Sequence, residues 1–192
     1  MPHTSQHNSQ SSPLKGGLRE ASPTLIYLIG FMGSGKSTLG KHLAKALGWK
    51  FIDLDDYFEQ KFRTTVPLFF KEFGETGFRD AERTTLEDTK DMTKTVIAAG
   101  GGTPCFFDNM NFMNQNGITL YIKVSPEELA YRLKISKTVR PLIIGKTGEE
   151  LTEYIREKLT EREPFYNKAQ IIADGEKLDI DGYLRVLGGA GV

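Results

Sequence analysis

Nine residues, Gly30-Phe31-Met32-Gly33-Ser34-Gly35-Lys36-Ser37-Thr38, constrain this chain more than any other stretch. They follow an apolar run, Leu25-Ile26-Tyr27-Leu28-Ile29, and open a helical pattern of Leu39, Leu43, Ala46 and Leu47. Strand, glycine loop and helix in that order fit G-x-x-x-x-G-K-[ST], the P-loop that binds phosphates. A loop that wraps an anion must turn several backbone N–H groups into one concavity, and glycine reaches the needed φ without a Cβ clash. The helix behind it aims unpaired N–H groups and a positive dipole end at the same anion. Lys36 is a mobile point charge for terminal phosphates, and the Ser37 hydroxyl is a hard oxygen ligand for Mg²⁺. The bland alternative is a glycine-rich turn that happens to precede a helix. An accidental match of the four fixed positions is expected in roughly one chain in a hundred of this size, and the flanking strand and helix lower that further. The loop does not name the acceptor.

The totals narrow the class. At 192 residues the chain suits one α/β domain with a sheet covered on both faces. Lys plus Arg and Asp plus Glu number 25 each, so the formal net charge is zero. That argues against a broad nucleic-acid or membrane footprint and leaves room for a local basic pocket. Cys105, the single cysteine, excludes an internal disulfide and a cysteine metal cluster, which points to a reducing cytoplasm. No apolar run approaches the roughly 20 residues that span a bilayer. Met1 to Pro23 is rich in Ser, Gln, Gly and Pro and poor in large apolar side chains, so a disordered tail is expected, with His3 and His7 solvated. The tail has no apolar core of the kind a secretory signal needs.

After the P-loop, the first helix is expected to end near Gly48, and Lys50-Phe51-Ile52-Asp53 reads as a short buried strand. Asp53, Asp55 and Asp56 stand at its carboxyl end, the edge where open parallel sheets bind ligands. Clustered carboxylates beside a phosphate loop require a cation or a hydroxyl-bearing substrate; the competing reading is a helix cap, with Asp56 the expected capping residue. An aromatic-rich helix stopped by Gly74 and a charged helix reaching Asp91 form an insert of about residues 55–92 over the strand ends. On it, Glu82 shares a helical face with Arg79, three residues earlier.

Thr95 to Ala99 reads as a buried strand, followed by Gly100-Gly101-Gly102, which is entropically costly unless a ligand must approach backbone; a flexible hinge is the alternative. Cys105 is expected to be a small buried filler, and Phe106 to Asn116 a helix closed by Gly117. Ile118 to Val124 is the fourth strand, and Ser125-Pro126-Glu127-Glu128 a capping box with Pro at the first helical position. Residues 135–147, with cations, a Pro, a Gly and no periodicity, read as a mobile lid that could carry Arg140 onto phosphates, a solvated surface loop being the competing reading. A helix bearing Leu151, Tyr154, Ile155 and Leu159, a strand at Gln170 to Ala173 and a closing helix lined by Leu178, Tyr183, Leu184 and Leu187 complete the domain of 24–187, with a short tail at 188–192.

Six motifs in this order and spacing resemble shikimate kinases: Gly-x-x-Gly-x-Gly-Lys-Ser-Thr at 30–38, Asp-x-Asp at 53–55, Phe-Arg-x-x-Glu at 78–82, Gly-Gly-Gly at 100–102, Arg-Pro-Leu at 140–142 and Arg-x-Pro-x-Tyr at 162–166. The resemblance implies a five-stranded parallel sheet of order 2-3-1-4-5, sandwiched by helices, and ATP-dependent phosphorylation of the 3-hydroxyl of shikimate. It implies that Gly33, Ser34, Gly35, Lys36, Ser37, Thr38 and Arg140 serve ATP, with Lys36 and Arg140 stabilising the transferring group. Arg79 and Arg162 would hold the shikimate carboxylate, Glu82 would position Arg79, and Gly100, Gly101 and Gly102 would face the ring. Asp55 would hold ring hydroxyls as base or orienter. Ser37 would bind Mg²⁺ directly and Asp53 through water. Arg132 and Lys134 both lie near the position of the family's adenine-flanking cation. No nucleic-acid or membrane partner is implied, and a monomer is expected. The alternatives are another small-metabolite P-loop kinase, for gluconate or a nucleoside monophosphate, and a nucleotide-binding regulator without chemistry.

Overall fold

Every residue of the first strand, β1 (Leu25–Ile29), is at most 1% exposed. Successive side chains of a strand point to opposite faces, so both faces of the sheet at β1 are covered. The computed structural model describes residues 24–136 and 145–192. Among them the elements run β1, α1 (Lys36–Leu47), β2 (Lys50–Asp53), α2 (Leu54–Phe62), α3 (Val66–Glu87), β3 (Thr95–Ala98), α4 (Asn109–Asn116), β4 (Ile118–Lys123), α5 (Pro126–Ile135), α6 (Gly148–Tyr166), β5 (Ile171–Asp174) and α7 (Ile180–Gly188). The five strands form one sheet of order β2-β3-β1-β4-β5, parallel at every pairing. In register, Leu28 pairs Ala98 on one side and Leu120 on the other. The strand order therefore reverses around β1, and the loop leaving it opens at the switch point where such sheets bind ligands.

Two clusters hold the apolar residues. The larger unites β1, β3 and β4 with Leu43, Leu129, Ile155, Leu187 and their neighbours from the helices. The smaller lies within α2 and α3, where Phe58, Phe69, Phe78 and Ala81 are buried together and Phe62 and Val66 pack against them. Phe58 meets Phe69 edge-on with centroids 5.1 Å apart, a geometry that suits the ring quadrupoles. This second cluster lets the two helices project over the strand ends while remaining anchored.

Gly74 breaks α3 at φ 69° and ψ −174°, as its position after the aromatic run predicts. A Cβ there would meet no atom within 4 Å, so the glycine serves the left-handed turn and not a close contact. The charged half then ends at Glu87, and a single 3₁₀ turn covers Asp88–Asp91.

Local capping departs from expectation in several places. Asp53, not Asp56, caps α2: its carboxylate accepts from the Asp55 N–H at 3.2 Å, because β2 runs directly into the helix and leaves Asp53 the last extended residue. Ser125 does accept from the Glu128 N–H at 3.3 Å, but Glu128 turns its carboxylate to Arg132 at 2.6 Å. Glu176 takes the Ser125 N–H instead, at 2.7 Å. The helix expected from Phe106 begins at Asn109, since Thr103–Cys105 forms a 3₁₀ turn and Phe107 takes φ 49°. Leu178 precedes α7, whose last turn includes Gly188. The predicted tail and most of the predicted lid lie outside the described residues.

Candidate active site

The loop after β1 has the backbone that its glycines permit: Gly30, Gly33 and Gly35 all take positive φ, at 144°, 83° and 97°. At Gly33 and Gly35 this is the left-handed turning that an anion cradle needs, and a side chain there would strain it. Lys36 Nζ donates to the loop's own carbonyls at Gly30, 2.8 Å, and Phe31, 2.9 Å, so the ammonium lies across the mouth of the loop. Ser37 Oγ, in the first turn of α1, donates to Asp53 Oδ2 at 2.5 Å. A hydroxyl and a carboxylate so placed beside a phosphate loop are hard oxygen donors of the kind Mg²⁺ accepts, and Mg²⁺ characteristically keeps waters for the remaining positions. Among the described residues no group of three or more His, Cys, Asp or Glu could cage a metal by itself.

A cavity of about 560 Å³ opens above this loop, lined by Met32, Gly33 and Gly35 to Thr38 of the P-loop, by Asp53 and Asp55, by Gly100 and Gly101, and by Arg132 and Leu133 of α5. Asp55 projects into it, solvent-accessible on the cavity side and enclosed by protein on the others. That enclosure, with the charges of Asp53 and Glu82 nearby, pushes its carboxyl up to about 6, while Lys36 pulls it down. Arg132 donates to Ser34 O at 3.4 Å and Gly175 O at 3.2 Å, bridging the P-loop to the turn after β5.

The second half of the site converges on the three glycines. A Cβ on Gly100 would stand 2.8 Å from Thr103 Oγ1, 3.1 Å from Glu82 Oε1 and 3.2 Å from Asp55 Oδ1. One on Gly102 would stand 2.9 and 3.0 Å from the terminal nitrogens of Arg79, and one on Gly101 3.6 Å from Arg162 Nη1. At Gly100 and Gly102 the space is thus taken by the protein's own polar side chains, a close approach that spacing alone ascribed to a ligand. The Gly101 position is also 3.4 Å from Met32 N, which ties this loop to the P-loop. Asp55, the Arg79–Glu82 pair and Arg162 come from three separate stretches of sequence and meet on one glycine loop.

Arg79 is held by Glu82 at 2.8 Å, as the three-residue spacing predicts, and more loosely by Glu75 at 3.7 Å. Its guanidinium lies over the rings of Phe106, 3.9 Å, and Phe78, 4.9 Å. Arg162 lies over Phe31 at 5.3 Å. The Tyr166 hydroxyl donates to Gly101 O, so the motif's tyrosine anchors the glycine loop. Cys105 packs against the larger core but is only partly buried, short of the buried filler expected. Burial pushes its thiol up to about 11 against the pull of both Arg162 and Arg79.

Thr103, Phe106 and Asn109 form part of this assembly without having been marked by the motifs; their position directly after the glycines was the only signal. Arg140 lies outside the described residues.

Similarity to known proteins agrees with this arrangement. The family model for shikimate kinase matches residues 32–182. The shikimate kinase of Parabacteroides distasonis is 50% identical over 153 residues, 80% of this chain and 88% of the relative. The crystal structure of the Bacteroides thetaiotaomicron shikimate kinase superposes with a TM-score of 0.81 at 44% identity, covering 86% of this chain and 97% of that one. The solved structure of shikimate kinase from Acinetobacter baumannii in complex with shikimate gives 0.74 at 33% identity, covering 86% of this chain and 91% of that one. A gluconokinase from Sinorhizobium meliloti, at 18% identity and 0.56, shares the fold alone. Sheet order, loop geometry and these similarities together place the chain: it is a P-loop kinase that belongs to the shikimate kinase family.

Proposed function

We propose that this chain transfers the γ-phosphoryl group of ATP to the 3-hydroxyl of shikimate, yielding shikimate 3-phosphate and ADP. The observation that carries the reading is the meeting of Asp55, Arg79 and Arg162 on a glycine loop that touches the P-loop. Two guanidinium forks suit the acceptor's carboxylate, and an aspartate suits its hydroxyls.

In this reading Gly33 to Thr38 cradle the ATP phosphates, and Lys36 moves from its loop carbonyls to the γ-phosphate. Arg79 and Arg162 fix the acceptor by its carboxylate, with Glu82 orienting Arg79 and the backbone of Gly100 to Gly102 beneath the ring. Asp55 accepts a hydrogen bond from the attacking hydroxyl and takes its proton; a carboxyl near 6 is ionised at neutral pH and basic enough to do so. Ser37, and Asp53 through water, would hold Mg²⁺, which would supply positive charge to offset that of the phosphates. Arg140, assigned by its Arg-Pro-Leu motif, adds positive charge at the transferring group. Phosphoryl transfer requires mainly such alignment and charge compensation. The single cysteine and balanced charge support a cytoplasmic location.

Shikimate-dependent release of ADP tests the reading, with gluconate and AMP as rival acceptors. Turnover with shikimate and not with the others is expected. Shikimate turnover no greater than background overturns it.

A further inference from the structure

We propose that the turn after the glycines, Thr103 to Phe106, is an alignment clamp for the Arg79 guanidinium and so sets affinity for the acceptor's carboxylate. The proposal rests on the reading that Arg79 binds that carboxylate.

The clamp works from two sides. On one side, Thr103 Oγ1 donates to Glu82 Oε1 at 2.6 Å, while the other oxygen of the same carboxylate accepts from Arg79 Nη1 at 2.8 Å. With both oxygens engaged, the Glu82 carboxylate is fixed in plane as well as in place, and the angle at which it presents to Arg79 follows. Thr103 is wholly buried, and it is immobilised in turn. Its N–H donates to Gly100 O at 3.2 Å, and its carbonyl accepts from Asn109 Nδ2 at 2.8 Å. Asn109, also wholly buried, accepts from Arg83 Nη1 at 2.7 Å. A continuous chain of hydrogen bonds thus runs Arg83, Asn109, Thr103, Glu82, Arg79, and none of the five is more than 19% exposed. Such a network is rigid when each member is satisfied.

On the other side, Phe106 places its ring 3.9 Å from the Arg79 guanidinium carbon, closer than Phe78 at 4.9 Å. A ring face attracts a guanidinium and limits its rotation. This matters because Arg79 Nε is buried with no hydrogen-bond partner among the described residues, so the inner end of the fork is not pinned by polar contact. Carboxylate, ring and network together leave the guanidinium one orientation. A bidentate grip on a carboxylate requires a fixed plane, so a mis-set Arg79 retains its charge but loses the fork.

Steady-state kinetics of four single variants, two of them repeated in an Arg79→Ala background, test this. Thr103→Val keeps the shape and removes the hydroxyl; the KM for shikimate is expected to rise roughly ten-fold, as loss of a charged-group hydrogen bond implies. Phe106→Leu keeps apolar bulk and removes the ring face; a rise of roughly three- to five-fold is expected. The KM for ATP should stay within about two-fold for both, as neither residue lies at the P-loop. Thr103→Ser and Phe106→Tyr, which restore hydroxyl and ring, should return the shikimate KM to near wild type. In an Arg79→Ala background, Thr103→Val and Phe106→Leu should have no further effect on it. Unchanged shikimate KM overturns the proposal. So does a parallel rise in both KM values that serine and tyrosine fail to rescue, which marks a merely structural role. Should Thr103→Val not fold, the half-exposed Phe106 pair decides alone. A wild-type protein inactive on shikimate defeats the underlying reading and this proposal with it, whereas an active wild type with indifferent variants defeats the clamp only.

Discussion

The hydroxyl of Ser37 and the carboxylate of Asp53 lie 2.5 Å apart, joining the first turn of α1 to the last residue of β2. Asp53 has a second duty, accepting the Asp55 N–H at the start of α2. Replacing it by Asn separates the two, because Asn caps helices as well as Asp does and should cost well under about 1 kcal/mol of stability. The charge toward Mg²⁺ is lost, so the Mg²⁺ concentration for half-maximal turnover of Asp53→Asn should rise roughly ten-fold or more. A magnesium titration of ADP release checks this; an unshifted midpoint excludes Asp53 from the metal's surroundings.

Asp55 carries the opposite kind of trade. Its carboxyl is raised from 3.8 to about 6, so between those values the folded protein holds a proton that the unfolded chain releases. Its protonated form therefore contributes stability that is complete below about pH 4 and lost as pH climbs through about 6. At neutral pH Asp55→Asn removes that penalty. About two units would amount to nearly ~3 kcal/mol at about 1.4 kcal/mol each, but cavity water screens an accessible group, so a gain of about 1 kcal/mol is expected. Metal-free Asp55→Asn should melt a few degrees above wild type at pH 7 and level with it near pH 4, while turnover falls by about a hundred-fold or more. Equal melting temperatures at pH 7 would remove the case for a destabilised carboxylate.

Gly102→Ala puts a methyl group 2.9 to 3.2 Å from the guanidinium of Arg79. The backbone there, at φ −90° and ψ −23°, accepts alanine without strain. The far end of a long side chain yields more readily than backbone, so Arg79 shifts and the fold persists. The KM for shikimate is expected to rise by about ten-fold, with the melting temperature altered by no more than a few degrees. Normal shikimate kinetics would show that Arg79 tolerates displacement.

Arg132 joins Ser34 O to Gly175 O across one wall of the cavity above the P-loop and is steadied by Glu128. Arg132→Ala should weaken ATP binding by roughly five- to ten-fold and leave the shikimate KM within about two-fold, the reverse of the Gly102 variant. Calorimetric titration with a non-hydrolysed ATP analogue measures the first effect. Unaltered nucleotide affinity would restrict Arg132 to a structural link.

Much of this molecule was legible in one dimension because its signals are local. The apolar run Leu25 to Ile29, the glycines and Lys36 lie within one strand–loop–helix unit, where propensity and spacing act over a few residues. The pairing of Arg79 with Glu82 follows from helical periodicity. Capping was less legible. Asp53, Asp55 and Asp56 are equivalent as types, and only the direct junction of β2 with α2 assigns the cap to Asp53.

What the tertiary structure alone decided is which distant residues share a surface. Thr103 and Phe106 carry no pattern in the sequence that marks them as partners of Arg79, and the motif that contains Tyr166 does not say that its hydroxyl reaches Gly101. Their roles arise when parallel pairing sets the ends of β1 and β3 side by side and α6 packs over the 3₁₀ turn. The sequence by itself determined the chemistry available, a phosphate loop, carboxylates and guanidinium groups, since side-chain type and local spacing suffice for that. The close fit of Gly100 and Gly102 around the protein's own Glu82 and Arg79 depends on contacts between residues far apart in the chain, which no local pattern encodes.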